Sequence, residues 1–103
     1  MIEYQEGYHT YYVYILTNKA KTVLYAGVTN NLKIRLQQHK ERLNPNSFTA
    51  KYNAHYLLYY EKFTWIQLGI AREKEIKGWV RVKKMELIKT INPEMNFLNY
   101  LFE

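Results

Sequence analysis

Two short segments rich in tyrosine and β-branched residues constrain the fold most strongly, because only residues 17–22 separate them. The first reads Tyr-Tyr-Val-Tyr-Ile-Leu at residues 11–16, and the second reads Val-Leu-Tyr-Ala-Gly-Val at residues 23–28. These residue types favour extended strands, and a connection this short joins antiparallel neighbours. The sequence therefore predicts a β-hairpin.

One register of this hairpin sets Tyr14 opposite Tyr25 and Tyr12 opposite Gly27. Directly opposed residues share a face of the sheet, so the two phenols are expected side by side. Gly27 would leave open space beside them for the backbone of a ligand. The alternative is that these tyrosines are ordinary strand residues, since the chain contains eleven tyrosines.

A helix is expected directly after the hairpin. Residues 29–31, Thr-Asn-Asn, supply side chains that can cap a helix from Leu32 to about Leu43. At about 100° per residue, His39 falls within the apolar stripe of this helix and Arg35 lies on its flank. Arg35 could therefore be a surface arginine whose stem covers the helix.

A third strand and two further helices complete the expected fold. Residues 56–60 form the strand, and a capping-box pattern at residues 64–67 begins a helix over residues 65–80. The last helix covers residues 83–91 and ends at an Asn-Pro pair. The sequence predicts an α+β fold with a small three-stranded antiparallel sheet flanked by helices, in the order β-β-α-β-α-α. Residues 1–103 are expected to form a single domain.

Composition narrows the chemistry that is open to this chain. It contains no Cys and no Asp, which excludes disulfides and thiolate metal sites and disfavours two-metal sites built from clustered carboxylates. The formal net charge of +6 favours a polyanionic partner. No long apolar run or secretory signal is present, so we expect a cytoplasmic protein with no membrane span.

Two polar side chains are expected at inward positions, where burial requires a partner. His39 lies among leucines, and Glu73 lies among isoleucines of the helix over residues 65–80. His39 could be a core histidine bonded to a backbone carbonyl. Glu73 could form a structural ion pair with Lys77, one helical turn further on. Together with Tyr14 and Arg35, both could instead belong to a reactive site.

The order of the motifs carries a resemblance to a known family. Residues 12–14, Tyr-Val-Tyr, and 25–27, Tyr-Ala-Gly, stand where that family has Gly-Ile-Tyr and Tyr-Ile-Gly. The spacing of Arg35 and His39 resembles the family's helix, and residues 72–79 resemble its metal-binding segment. The chain thus resembles the GIY-YIG nuclease superfamily, in particular small stand-alone members similar to the amino-terminal domain of the excision-repair nuclease subunit UvrC. Residues 48–52 and 92–94 also match this small group.

The resemblance implies a metal-dependent endonuclease that hydrolyses phosphodiester bonds in DNA, with a possible place in DNA repair. It implies one divalent ion, Mg²⁺ or Mn²⁺, with Glu73 as its ligand. A single carboxylate suits Mg²⁺, which retains much of its hydration. Tyr14 would be the general base toward the attacking water. The pKa of this phenol is a difficulty, because a phenol with a pKa of about 10 is hardly ionised at neutral pH. Forming the phenolate at that pH costs about 4 kcal/mol. We therefore expect Arg35 and the metal ion to lower the pKa of Tyr14.

The resemblance also implies roles for four other residues. Tyr25 would position the water or the scissile phosphate, and Arg35 would neutralise charge that develops there. His39 would hydrogen-bond to the reacting oxygens or to Tyr14. Asn96 would correspond to a late family asparagine that supports the site.

A second function remains open, because the same fold could serve as a nucleic-acid-binding module with little or no catalytic activity. A basic cluster would then carry the binding, although solvated charges are common on helices. The cluster comprises Arg72, Lys74, Lys77, Arg81, Lys83 and Lys84.

Overall fold

The sheet has three antiparallel strands, with the first strand in the middle. A computed structural model describes residues 10–103, so His9, a histidine for which we predict no role, lies outside the described residues. The strands are β1 (Tyr11–Thr17), β2 (Leu24–Thr29) and β3 (Tyr56–Phe63), in the order β2-β1-β3. The predicted α+β fold with a three-stranded antiparallel sheet is confirmed.

Helices occupy the connections and the carboxyl-terminal part of the chain. They are α1 (Leu32–Glu41), α2 (Phe48–Lys51), α3 (Ile66–Lys77), α4 (Arg81–Lys89) and a closing 3₁₀ helix (Asn99–Phe102). Asn31 caps α1 as predicted, since its Oδ1 accepts a hydrogen bond from the backbone N–H of Ile34 at 3.0 Å. Within residues 10–103, no helix is long and apolar enough to cross a membrane.

The predicted register of the hairpin is wrong by two residues. Tyr14 lies opposite Gly27, and Leu16 lies opposite Tyr25. The shift arises in the turn, because the side-chain oxygen of Asn18 accepts hydrogen bonds from the backbone N–H of Thr22 at 2.8 Å and of Val23 at 3.3 Å. These bonds hold Val23 in the turn and leave the ladder to begin one residue later. A shift of two residues preserves the faces, so Tyr14 and Tyr25 still share one.

The helices differ from the prediction in several places. Helix α1 ends at Glu41 rather than near Leu43, and α4 covers Arg81–Lys89 rather than residues 83–91. The single turn of α2 was not predicted, and α3 ends at Lys77 rather than near residue 80. The capping box at residues 64–67 is wrong, because α3 has Trp65 at its N-cap and no side-chain hydrogen bond there. Val80, the last residue of the predicted helix, follows the end of α3 and is 72% exposed.

Alternate residues of β1 face two different layers of helices. On the side termed here the apolar face, Val13 and Ile15 pack with Ile76 of α3 and Ile88 of α4. On the opposite side, termed the tyrosine face, buried residues of the strands pack with α1. The buried members of the tyrosine face are Tyr14, Leu16, Leu32, Leu36 and Leu57.

Two asparagines attach the carboxyl-terminal segment to β3. The buried Asn92 donates to the backbone carbonyl of Leu58 at 2.9 Å, and Asn99 accepts from the backbone N–H of Leu57 at 2.8 Å. Asn92 also bonds both the N–H and the C=O of Asn96. This arrangement satisfies polar backbone groups beside the sheet and places the side chain of Asn96 on the exposed surface.

Candidate active site

Tyr14 occupies the centre of the tyrosine face. It lies in the central strand and is 2% exposed. Its ring packs directly on the backbone of Gly27, where an added Cβ would approach the Cζ of Tyr14 to 2.5 Å. The space that the sequence assigned to a ligand backbone is therefore filled by the phenol itself, and glycine is needed there for close approach.

The imidazole of His39 connects Tyr14 to α2. Its Nε2 lies 3.0 Å from the hydroxyl of Tyr14, and its Nδ1 lies 2.9 Å from Oγ1 of Thr49. Thr49 in turn lies 3.2 Å from Oγ of Ser47, which caps α2 by accepting from the N–H of Ala50. Ser47, Thr49, His39 and Tyr14 thus form a continuous hydroxyl–imidazole network. The sequence suggested either Tyr14 or a backbone carbonyl as a partner of His39. The imidazole binds Tyr14 and Thr49 rather than a backbone carbonyl.

Tyr25 and Arg35 line an open cleft next to this network. The cleft has a volume of about 380 Å³ and is also lined by His39, Arg42 and the loop before α2. The ring of Tyr25 lies 5.9 Å from the imidazole of His39, and Arg35 donates to Oε1 of Gln38 at 3.4 Å. Two guanidinium groups, an imidazole and a phenol therefore border one cavity, which is the chemistry of an anion site.

Glu73 of α3 approaches the same region. Its side chain is 15% exposed, and its Oε2 lies 3.0 Å from Nζ of Lys77. The Lys77 ammonium also lies 5.5 Å from the centre of the Tyr25 ring. The inward position and the ion pair that the sequence offered as alternatives are thus both present. Glu75, two residues further along α3, is exposed.

Burial controls the titration of the two hydrogen-bonded groups. It raises the pKa of Tyr14 well above its usual value; the neighbouring Tyr25 and Glu73 add to the increase, and Arg35 opposes it. Arg35 acts in the expected direction, but desolvation outweighs its charge, so in the absence of a metal ion the pKa of Tyr14 is raised. Burial lowers the pKa of His39 to about 4, with smaller contributions in the same direction from Arg35 and His55. At neutral pH both groups are uncharged.

Comparison with known proteins places this geometry in a family. Residues 10–86 match the family model described as the GIY-YIG catalytic domain. The chain belongs to the GIY-YIG nuclease superfamily. Nucleases of this superfamily act on nucleic acid and are generally dependent on a divalent metal. The two name-giving tyrosines of the GIY-YIG pattern are Tyr14 and Tyr25, on β1 and β2.

Small stand-alone relatives match most of the chain. A UPF0213 protein of Syntrophus aciditrophicus is 37% identical over 83 residues, which is 81% of this chain and 93% of that protein. A UPF0213 protein of Oceanobacillus iheyensis is 37% identical over 79 residues, which is 77% of this chain and 90% of that protein. The solution NMR structure of a UPF0213 protein from Bacillus halodurans matches this structure with a TM-score of 0.53 and 24% sequence identity. The match covers 82% of this chain and 88% of that chain, and it shows that the two share a fold.

The structure brings together most of the residues that the sequence predicted for a GIY-YIG site. Tyr25, Arg35 and His39 line the cleft, Tyr14 is hydrogen-bonded to His39 behind it, and Glu73 contributes to the electrostatics of Tyr14. Asn96 is exposed and is bonded through its backbone to Asn92, so the structure does not bring it to the cleft. Its supporting role stays a prediction.

Sequence reasoning missed the contribution of α2. Thr49 is 3% exposed and holds His39 through its hydroxyl, while Ser47 holds Thr49. The available signal was the pattern Ser-Phe-Thr-Ala, in which the serine caps one helical turn and the threonine faces inward. A turn this short has no periodicity that distinguishes it from a loop.

Most cations of the predicted basic cluster have partners within the protein. Arg72 binds Glu61 of β3 at 2.8 Å and also Glu75, which ties α3 to the sheet. Arg81 donates to two backbone carbonyls of the hairpin turn, and Lys83 lies over the ring of Trp79. The charges that face the cleft are instead Arg35 and Arg42.

Proposed function

We propose that this chain is a divalent-metal-dependent endonuclease that hydrolyses phosphodiester bonds in DNA. The hydrogen bond between the Tyr14 hydroxyl and Nε2 of His39, at the wall of a cationic cleft, is the observation that carries this proposal. A buried phenol and a neutral imidazole in direct contact form a pair that can move a proton. The two arginines at the cleft provide the complementary charge for a phosphate.

The pKa values define how the pair works. Because Tyr14 stays protonated at neutral pH, it acts as a relay rather than as a free phenolate. Its oxygen receives a proton from the attacking water while its own proton passes to Nε2 of His39. Proton transfer from Tyr14 to His39 requires the neutral tautomer of His39 that has its proton on Nδ1. In that tautomer the Nδ1–H group donates a hydrogen bond to Oγ1 of Thr49. The negative charge of a bound phosphate favours imidazolium and moves the pKa of His39 upward from about 4, toward the range of an effective base.

Glu73 is the residue that would hold the metal ion. Among residues 10–103, no group of three or more His, Cys, Asp or Glu side chains could hold a metal ion, and Glu73 is the carboxylate whose charge acts on Tyr14. The proposed donor set is this single carboxylate. This fits a strongly hydrated ion such as Mg²⁺, which needs few protein ligands and binds substrate phosphate as well. Lys77 is the cation now paired with that carboxylate. When bound, the ion would supply charge neutralisation at the phosphate.

The remaining assignments follow from the positions in the cleft. Arg35 neutralises charge on the scissile phosphate, and Tyr25, beside His39, positions the phosphate or the water. A role in DNA repair rests on the resemblance to UvrC alone.

A panel of nucleic acids tests the proposal. Plasmid, single-stranded and branched DNA, with RNA for comparison, are incubated with Mg²⁺ or Mn²⁺ and with excess chelator. The wild type should cut DNA only with the metal, and Glu73→Gln should reduce cleavage at least about 100-fold. Glu86→Gln, an exposed glutamate on α4, is the matched control and should cut normally. Metal-independent cleavage, or full activity of Glu73→Gln, would contradict the metal role.

The alternative is a nucleic-acid-binding module of the same fold. The ion pair between Glu73 and Lys77 favours it, because this contact already satisfies the carboxylate without a metal. Binding to every nucleic acid in the panel with no metal-dependent cut under any condition would support the module and end the nuclease proposal.

A further inference from the structure

Three aromatic rings lead from the cleft to the protein surface. Tyr25, a cleft residue, stacks on Phe48 with ring centres 5.9 Å apart and planes inclined by 22°. Phe48 packs on Tyr52 with ring centres 4.7 Å apart. Phe48 is 42% exposed and Tyr52 is 43% exposed. These three rings are termed the aromatic platform.

Two rings of the platform belong to α2 and its C-cap, so the structure of this helical turn holds them in place. Ser47 caps this helical turn, and the buried Thr49 fixes it to His39. Phe48 and Tyr52 are one turn apart, so both rings project from the same side of the segment. Contiguous exposed aromatic rings indicate an interaction surface, whereas single exposed rings do not.

Cations flank the platform along its length. Nζ of Lys77 lies 5.5 Å from the centre of the Tyr25 ring, and Nζ of Lys51 lies 5.7 Å from the centre of the Tyr52 ring. Arg42, which lines the cleft, donates to Oδ1 of Asn53, the residue after Tyr52, at 2.9 Å. Aromatic rings flanked by cations match the alternation of base and phosphate along a nucleic-acid strand.

We propose that the aromatic platform binds an unpaired base of a DNA strand whose backbone enters the cleft. This inference rests on the proposed nuclease function and names its substrate class as single-stranded DNA. In a duplex both faces of a base are covered by stacking, so a base can reach Tyr52 or Phe48 only where the strand is unpaired. Every base has a π face, so the contact selects single strands without reading their sequence. Lys51 leaves the ring of Tyr52 when a base stacks there and pairs with the adjoining phosphate.

Binding is measured by fluorescence anisotropy in the Tyr14→Phe background, which keeps the ring and does not require cleavage. The probes are a labelled single-stranded DNA oligonucleotide, the duplex of the same sequence and the corresponding RNA, all at one salt concentration. Tyr52→Ala and Tyr52→Phe are compared, since Tyr52 lies outside the reactive groups. Tyr100→Ala removes another exposed tyrosine, on the 3₁₀ helix, and serves as the control.

Single-stranded DNA should bind more tightly than the duplex, and Tyr52→Ala should weaken its binding about tenfold while duplex binding changes little. Tyr52→Phe should restore binding, and Tyr100→Ala should have no effect. An equal loss for duplex and single strand, no loss for either, or a loss confined to RNA would overturn the proposal. Failure of the nuclease proposal can be distinguished from failure of this inference. The first would appear as absent metal-dependent cleavage by the wild type, whereas the anisotropy measurements report binding whether or not the protein cleaves DNA.

Discussion

The two faces of the sheet are formed by alternate residues of the same strands, yet they are completed in different ways. On the apolar face, Val13, Ile15, Ile76 and Ile88 are each at most 1% exposed and pack together in a hydrophobic cluster. On the tyrosine face, the hydroxyl of the equally buried Tyr14 contacts the imidazole of His39, and His39 lines the cleft. A single residue step along β1 therefore separates a position that should control stability from one that should control reaction.

The buried polar side chains of the tyrosine face have hydrogen-bond partners. Among the described residues, no buried side-chain nitrogen or oxygen lacks a hydrogen bond. A buried polar group without a partner would destabilise the fold, so the hydroxyl–imidazole network is needed for stability as well as for chemistry. Four substitutions or conditions test this comparison.

The largest effect on stability is expected from the apolar face. Ile76→Ala should reduce the free energy of unfolding by about 2–5 kcal/mol, because it leaves a cavity where Ile76 is 0% exposed. Urea denaturation measures the change. Val82→Ala, at a position 67% exposed, should change it by less than about 0.5 kcal/mol. Cleavage by folded Ile76→Ala should match the wild type, and a selective loss of cleavage would remove the distinction between the faces.

Gly27→Ala should affect both stability and reaction. The added Cβ would lie only 2.5 Å from Cζ of Tyr14 and would displace the ring, which should cost about 1–3 kcal/mol and reduce cleavage. Gly78→Ala is the matched control, because its Cβ would lie 3.5 Å from the backbone oxygen of Glu75, an ordinary contact. Denaturation and cleavage assays on both variants measure the difference. Normal cleavage by Gly27→Ala would show that the position of the phenol is unimportant.

Thr49→Val should separate the network from packing. The substitution keeps the volume but leaves Nδ1 of His39 without its partner, which should cost about 1–2 kcal/mol. Cleavage should fall about tenfold, and Thr49→Ser, which retains the hydroxyl, should recover it. The ¹⁵N chemical shifts of His39 should report a change of tautomer in Thr49→Val alone. Unchanged shifts in that variant would mean that Thr49 does not set the proton position.

The smallest effect concerns pH. His39 has a pKa of about 4 in the folded protein and an ordinary value near 6.5 when unfolded, so the unfolded state binds more protons between these pH values. The free energy of unfolding should therefore fall as pH decreases from about 7 to 4 and recover as pH rises. His55, whose pKa burial also lowers, contributes in the same direction.

Thermal unfolding of the wild type, His39→Gln and His55→Gln separates the two contributions. His39→Gln should show a weaker dependence on pH across this range. If stability depended on pH equally in His39→Gln and in the wild type, the titrating group would not be His39.

Local patterns were sufficient to predict the hairpin, the cap at Asn31, the third strand and the shared face of Tyr14 and Tyr25. The register was not predictable, because it depends on how the side chain of Asn18 folds the turn. The network beyond His39 was also hidden, since Thr49 meets it only in the folded chain. The raised pKa of Tyr14 follows from its degree of burial, which a strand pattern does not specify. The single domain over residues 1–103 stays a prediction.

Tyr14→Phe tests the central claim most directly, because it removes one hydroxyl and leaves the ring on Gly27. Tyr60→Phe, from the neighbouring strand on the same face, is the matched control. Single-turnover cleavage of single-stranded DNA with Mg²⁺ is measured for both, alongside urea denaturation. We expect Tyr14→Phe to lose at least about 100-fold in cleavage rate while its free energy of unfolding changes by only about 1 kcal/mol, with Tyr60→Phe close to wild type. Undiminished cleavage by stable Tyr14→Phe would contradict the account.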